Sequence, residues 1–174
     1  KLIEEKAEKL YKTFIDGNQE NYYYYIYLEN KNPNIPEIAI LTDSTSDLVP
    51  EEVMNLPVSI VPLKVEFQGN LYKDIFEISR SQVWEEIIKT NTGLKTSQPA
   101  PQDFLKAYKR LFEKGYKKII SIHISSKFSG TSQAAQVAKN LLEEKENVEI
   151  LDSLTTTSAL GHLVTEAAKK SLRK

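Results

Sequence analysis

Residues 119–132 read IISIHISSKFSGTS. The first six are apolar except for one serine and one histidine, which is typical of a strand covered on both faces of a sheet. The polar residues that follow lead into a predicted helix from about Ser129 to Glu144. Because a strand that leads directly into a helix is the building unit of a parallel sheet, this stretch predicts an α/β fold.

The same alternation of strands and helices extends along most of the chain. Ser79 and Gln82 have the spacing of a capping box at a helix start, and Pro101 suits the first turn of a further helix that Gly115 ends. Further strands are predicted at 38–41, 58–61, 63–67 and 148–151, with a hairpin turn at 68–70 and a last helix through Leu163, Val164 and Ala167. The predicted architecture is therefore a largely parallel sheet flanked by helices.

Residues 1–36 and residues 37–174 differ in pattern, and we interpret them as two parts. The first part is predicted to be a helix-strand appendage, with an amphipathic helix over 1–14, a strand over the tyrosine run 22–27 and a stiff linker at 32–36. The second part is predicted to be the α/β lobe. A nucleic-acid stacking surface would need a basic groove beside the tyrosines, so an edge strand is the favoured interpretation of that run.

Composition excludes several classes of function. The 174 residues contain no cysteine, which excludes disulfides, thiolate nucleophiles and cysteine-ligated metal sites. The formal net charge of −1 provides no general attraction to nucleic acid or to an anionic membrane. No apolar run approaches the roughly 20 residues that cross a bilayer, and the charged first residues do not resemble a signal peptide. We therefore expect a cytoplasmic protein without a membrane span and without a nucleic-acid partner.

Polar residues crowd the positions at which three predicted strands end. Residues 42–47, 125–132 and 152–157 are rich in Ser, Thr and Asp. The carboxyl ends of parallel strands meet at one edge of a sheet, which is where ligands bind. Helix capping explains one such residue at each junction but not six in succession. The SGT sequence at 129–131 combines hydroxyls with a small residue at a helix start, and it predicts binding of a carboxylate or phosphate oxygen.

The motifs of common catalytic sites are missing. The sequence has no GxGxxG after a strand, no P-loop and no GxSxG elbow. It therefore carries no motif of nucleotide binding or of hydrolase chemistry. Asp43 and Asp152 are predicted to accept hydrogen bonds from backbone N–H groups at their junctions. His123 is predicted to be a core residue with an indirect role in orienting loop hydroxyls. We assign no catalytic residue and no metal ligand.

Four segments resemble motifs of the DegV family in their order and spacing. They are TDSTSDL at 42–48, KTSQP at 95–99, SIHISS followed by SGT within 121–131, and LDS at 151–153. The resemblance covers about residues 38–168 and is to the N-terminal lobe of bacterial fatty-acid-binding proteins. It implies a carrier that binds a long-chain fatty acid and presents the carboxylate to a fatty-acid kinase, without being an enzyme itself and without a cofactor.

The resemblance also implies which residues contact the ligand. Thr96 and Ser129 would hold the carboxylate, and the other predicted site residues are Ser97, Ser126, Gly130 and His123. We expect Thr96 and Ser97 to lie in a loop before a helix. The acyl chain would occupy an apolar tunnel, where each buried CH₂ contributes roughly 0.8 kcal/mol. The resemblance also implies a second lobe that covers this tunnel, and we expect that lobe to be missing from the 174 residues.

Two other functions stay open on the sequence alone. The first is a magnesium-dependent enzyme that handles phosphates or nucleotides and uses Asp43 and Asp152. The second is a non-catalytic interaction module whose tyrosine-rich first part assembles with a partner. A homo-oligomer is expected in the carrier hypothesis, because a tunnel without its cover exposes an apolar wall that normally finds a partner.

Overall fold

The computed structural model describes residues 35–48, 50–53, 55–91 and 93–173. The chain divides into two units, Lys1–Asn34 and Ile35–Lys174, and the fold described below belongs to the second. The helix predicted over 1–14 and the strand predicted over 22–27 lie outside the described residues.

Within the described ranges, seven strands and five α-helices follow one another, with 3₁₀ turns at Ser44–Ser46 and Lys145–Asn147. In chain order they are β1 (Ile38–Asp43), α1 (Pro50–Val53), β2 (Val58–Val61), β3 (Lys64–Phe67), β4 (Asn70–Lys73), α2 (Arg80–Thr90), β5 (Lys95–Ser97), α3 (Pro101–Glu113), β6 (Lys118–His123), α4 (Thr131–Asn140), β7 (Val148–Asp152) and α5 (Thr157–Ser171).

The larger sheet has four strands in the order β2-β1-β6-β7, and every pair in it is parallel. The central strand β1 owes its position to its apolar residues, because Ala39, Ile40 and Leu41 are completely buried. This sheet confirms the predicted α/β fold with a largely parallel sheet.

Helices cover both faces of this sheet. Successive side chains of a strand point to opposite faces. On one face, Ile40 of β1 and Ile122 of β6 pack in one cluster with Leu160 of α5. On the other face, the ring of Phe104 in α3 meets His123 edge to face, with the ring centroids 5.0 Å apart. The side chains of Asp43, Ser121 and His123 therefore lie on the α3 side of the sheet, whereas Thr42 shares the face of Ile40.

A second sheet of three antiparallel strands, in the order β4-β3-β5, was not predicted as a separate unit. The predicted hairpin turn is confirmed, since Gln68 and Gly69 both have positive φ angles, 49° and 76°, between β3 and β4. The prediction that Thr96 and Ser97 lie in a loop is wrong. They belong to β5, which pairs with β3 and has three residues, too few to show a period of two.

The helix starts follow the predicted signals. Ser79 and Gln82 form both hydrogen bonds of a capping box at the start of α2. The helix α3 begins at Pro101, as predicted, and its N-cap residue Ala100 lacks a hydroxyl. Its backbone N–H donates instead to the Asp103 carboxylate at 3.0 Å, which ties the first turn together.

The helix α4 is shorter than predicted at both ends. Its start moves from Ser129 to Thr131 because the carbonyl of Ser125 accepts hydrogen bonds from the N–H groups of Phe128 and Ser129, which closes a separate turn. At the other end, the N–H groups of Leu141 and Leu142 bond to carbonyls three residues back, so the helix tightens and stops before Glu144.

Candidate functional site

Three polar segments meet at the carboxyl edge of the larger sheet, as predicted. They follow β1, β6 and β7, which are neighbours in the sheet and run parallel. Backbone and side-chain hydrogen bonds join these segments to one another. The N–H of Ser125 donates to the carbonyl of Thr155 at 2.9 Å, and the N–H of Ser153 donates to the carbonyl of His123 at 3.0 Å.

Asp43 links the end of β1 to the end of β6. Its Oδ2 accepts hydrogen bonds from His123 Nδ1 at 3.0 Å and from the N–H of Ile124 at 3.1 Å. Its Oδ1 accepts the N–H and the hydroxyl of Thr45. Burial raises the pKa of Asp43, but the hydrogen bond and the charge interaction with His123, together with the hydrogen bonds from Thr45 and Ile124, outweigh burial and hold the pKa below its ordinary value of 3.8.

His123 lies in the core rather than at the surface of the site. Nδ1 faces the Asp43 carboxylate, and Nε2 lies 2.6 Å from the Ser121 hydroxyl. The Ser121 hydroxyl lies 3.0 Å from that of Tyr108. Both ring nitrogens are thus engaged within a buried row of polar side chains, and the predicted place of His123 in the core is confirmed.

Asp152 organises the loop between β6 and α4. The N–H of Ser126 donates to its carboxylate at 3.2 and 3.3 Å, and the N–H of Leu154 donates at 3.0 Å. Contact with Ser126 and the Leu154 N–H lowers the pKa of Asp152. The predicted role of Asp43 and Asp152 as acceptors of backbone N–H groups is confirmed. Within the described part of the chain, no group of three His, Asp or Glu side chains is arranged to hold a metal ion.

The start of α4 offers N–H groups that no side chain caps. Gly130 is its N-cap residue and forms no side-chain hydrogen bond there. The hydroxyls of Ser129 and Thr131 lie 2.8 Å apart on either side of this glycine. Free N–H groups and the helix dipole favour an anion at such a helix end, and the Ser129 hydroxyl lies beside them.

The segment with Thr96 reaches the same place from the second sheet. Thr96 and Ser97 pair with Val65 and Lys64 of β3 and are exposed. Gln98 follows them, and its side chain lies against Gly130: a Cβ atom built on Gly130 would be 2.2 Å from Gln98 Oε1. The structure thus brings the TSQ and SGT sequences into contact. Sequence reasoning missed Gln98, although its place in the TSQP motif was a signal.

The loop after β7 carries backbone strain next to these groups. Leu154 and Thr157 both have φ angles of 56°, in the left-handed region that glycine favours and a β-branched threonine rarely adopts. Strained backbone persists only where its surroundings hold it, and it clusters at functional sites.

The exposed surface at this edge is partly apolar. The side chains of Phe128 and Leu154 are 71% and 73% exposed, and their loops are joined by the hydrogen bond from Ser126 to Asp152. A separate cavity of about 230 Å³ lies between α2 and the β3–β4 turn, and none of the predicted site residues lines it. Every helix in the described ranges falls short, in length or apolar character, of what a bilayer crossing requires.

Comparisons with known proteins agree on one family. Residues 37–171 match the model of the DegV family, a family of uncharacterised proteins. A DegV domain-containing protein from Clostridium acetobutylicum is 40% identical over 133 residues, which are 76% of this chain and 47% of that protein.

Two of the similar solved structures are of proteins that bind fatty acids. A fatty-acid-binding DegV family protein from Thermus thermophilus has a TM-score of 0.69 and 34% identity, over 76% of this chain and 46% of that one. The fatty acid kinase B3 protein from Streptococcus pneumoniae, loaded with linoleic acid, has a TM-score of 0.63 and 27% identity, over 76% and 47%. This chain thus spans about half the length of the proteins it resembles.

Proposed function

The chain belongs to the DegV family, and on that premise we propose that it binds a long-chain fatty acid whose carboxylate lies between Thr96 and Ser129. In this proposal Ser97, Ser126 and Gly130 are the neighbouring ligand-binding residues, and His123 supports the site from the core. The observation that carries the proposal is the contact between Gln98 and Gly130, because it joins the two segments that hold the proposed ligand residues.

The chemistry of these groups suits a carboxylate. The hydroxyls of Ser129 and Thr131 lie beside the uncapped start of α4, and hydroxyls at a helix start stabilise an anion without a full countercharge. Hydrogen bonds to a charged group are worth roughly 1.5–3 kcal/mol each. The exposed Phe128 and Leu154 at the same edge supply apolar surface, and each CH₂ of an acyl chain that becomes buried adds roughly 0.8 kcal/mol.

We propose further that the chain is a carrier in the cytoplasm and that a fatty-acid kinase is its partner. The similar Streptococcus pneumoniae protein is a fatty acid kinase B protein, which supports this part of the proposal. A carboxylate held by neutral hydroxyls keeps its negative charge and can accept a phosphoryl group. The carrier itself then needs no catalytic residue.

Native mass spectrometry of the gently purified chain tests the proposal. A retained mass of fatty-acid size supports the carrier, and denaturing the protein should release it for identification by gas chromatography. A retained nucleotide would favour the magnesium-dependent enzyme instead. An empty oligomer that takes up no added palmitate or oleate would favour an interaction module and overturn the carrier.

A further inference from the structure

A side chain at position 130 would displace the side chain of Gln98, which occupies the space beside Gly130. A Cβ atom on residue 130 would lie 2.2 Å from Oε1, 3.0 Å from Cδ and 3.1 Å from Nε2 of Gln98. A real Cβ atom essentially never approaches another heavy atom to 2.2 Å. The amide of Gln98 thus takes the place that a side chain at position 130 would fill.

The backbone on both sides of this contact is anchored. Gln98 directly follows β5, whose Thr96 and Ser97 pair with β3, and it precedes Pro99, which is buried. Gly130 stands between the turn closed by Ser125 and the first residue of α4. Neither backbone segment is a free loop, and the Gln98 amide is the group that fills the space between them.

We propose that Gln98 is the positioning residue of the carboxylate site. Position 130 must then be glycine, because a side chain there would displace the Gln98 amide. The proposal rests on the proposed function, because it concerns how Thr96 and Ser129 are held at the distance that one carboxylate bridges. Gln98 belongs to the segment of Thr96, two residues away, and touches the residue that follows Ser129. The side chain itself is exposed, so it can be displaced without unfolding the core.

A double-mutant cycle on the full chain tests this role. Gln98→Ala removes the amide and Gly130→Ala pushes it aside, so each variant should weaken palmitate binding by about tenfold, and the double variant should bind no more weakly than either single variant. Affinity for hexadecanol, which has the same chain length but no carboxylate, should stay unchanged in all three. Gly93→Ala is the matched control, because a Cβ atom there meets nothing within 4 Å.

Additive losses of palmitate affinity, or equal losses for palmitate and hexadecanol, would overturn the positioning role. Urea unfolding without ligand measures the coupling between residues 98 and 130 independently of whether the chain binds a fatty acid. The loss of stability from Gly130→Ala should shrink when Gln98 is already alanine, because the clash is then relieved. If the wild-type chain binds no palmitate, the proposed function fails and the positioning role fails with it, while the unfolding cycle still shows whether the two residues are coupled.

Discussion

The imidazole of His123 lies between the Asp43 carboxylate and the Ser121 hydroxyl, with Nδ1 3.0 Å from Oδ2 and Nε2 2.6 Å from Oγ. All three side chains are completely buried. The row crosses from β1 to β6 at the point where both strands end, and it therefore supports the loop that carries Ser129. Its energetics can be tested without any ligand.

Asp43→Asn should lower the free energy of unfolding by about 3 kcal/mol at pH 7, because the amide NH2 replaces one carboxylate oxygen and leaves two hydrogen-bond donors without their acceptor. The pKa of Asp43 lies below 3.8 in the fold, so its contribution is complete above the unfolded pKa and disappears as the pH falls through the folded pKa. The difference in unfolding free energy between the wild type and the variant should therefore become smaller below about pH 4. Urea titrations across this pH range measure it.

Asp74→Asn is the matched control with the opposite expectation. Burial raises the pKa of Asp74 and outweighs its hydrogen bond with Ser44 and the charge of Arg80. The fold therefore disfavours the ionised carboxyl, and a neutral amide should leave stability at pH 7 unchanged or higher. If Asp43→Asn and Asp74→Asn lost the same unfolding free energy, the effect at Asp43 could not be assigned to its hydrogen bonds with His123, Thr45 and Ile124.

Tyr108→Phe should cost about 1 kcal/mol, since it removes one hydrogen bond from the buried row and leaves Ser121 bonded to His123. Burial raises the pKa of Tyr108 to about 12 against the hydrogen bond of Ser121. Above pH 10, the ordinary pKa of tyrosine, ionisation of Tyr108 therefore favours the unfolded state. The cost of Tyr108→Phe relative to the wild type should thus be smaller at high pH than at pH 7. Tyr116→Phe, which removes no hydrogen bond within the described part of the chain, should cost less. A larger loss of stability in Tyr116→Phe than in Tyr108→Phe would contradict a stabilising hydrogen bond between Tyr108 and Ser121.

Gly161→Ala should destabilise the protein by several kcal/mol. A Cβ atom there would lie 2.4 Å from the backbone carbonyl of Ser46, and a backbone atom cannot swing aside as the Gln98 side chain can. Gly93→Ala is the neutral comparison because its surroundings are open. Thermal unfolding of both variants checks the prediction, which is wrong if their midpoints agree.

The purified chain should hydrolyse neither ATP nor an acyl ester above the buffer rate. The carboxylates of Asp43 and Asp152 are engaged by N–H groups and, for Asp43, by a histidine. Assays with and without Mg²⁺ test this, with Asp152→Asn as the comparison. Turnover that depends on Mg²⁺ and is lost in Asp152→Asn would restore the enzyme hypothesis.

The parallel sheet could be predicted because its signal is local. Apolar runs such as 38–41 and 119–124 show a strand buried on both faces, and their polar ends already indicate a shared edge. The capping box at Ser79 is equally local. Each of these patterns is complete within a few residues, so no knowledge of distant contacts was needed.

The second sheet and the joining of the two motifs depend on distant contacts. The strand β5 exists because it pairs with β3, some 30 residues earlier in the chain. The role of Gln98 follows from its contact with Gly130, which no periodicity encodes. The start of α4 likewise depends on Ser125 closing a turn that competes with the helix. Tertiary contacts override local preference at these places.

Calorimetric titration of the full chain with palmitate tests the central claim most directly. Thr96→Ala combined with Ser129→Ala should weaken binding by about 100-fold, which corresponds to roughly 1.5 kcal/mol lost at each hydroxyl. Thr165→Ala combined with Ser171→Ala is the control, because those hydroxyls bond to carbonyls of their own helix and should not affect the affinity. An unchanged palmitate affinity in a folded Thr96→Ala, Ser129→Ala protein would contradict the proposed site.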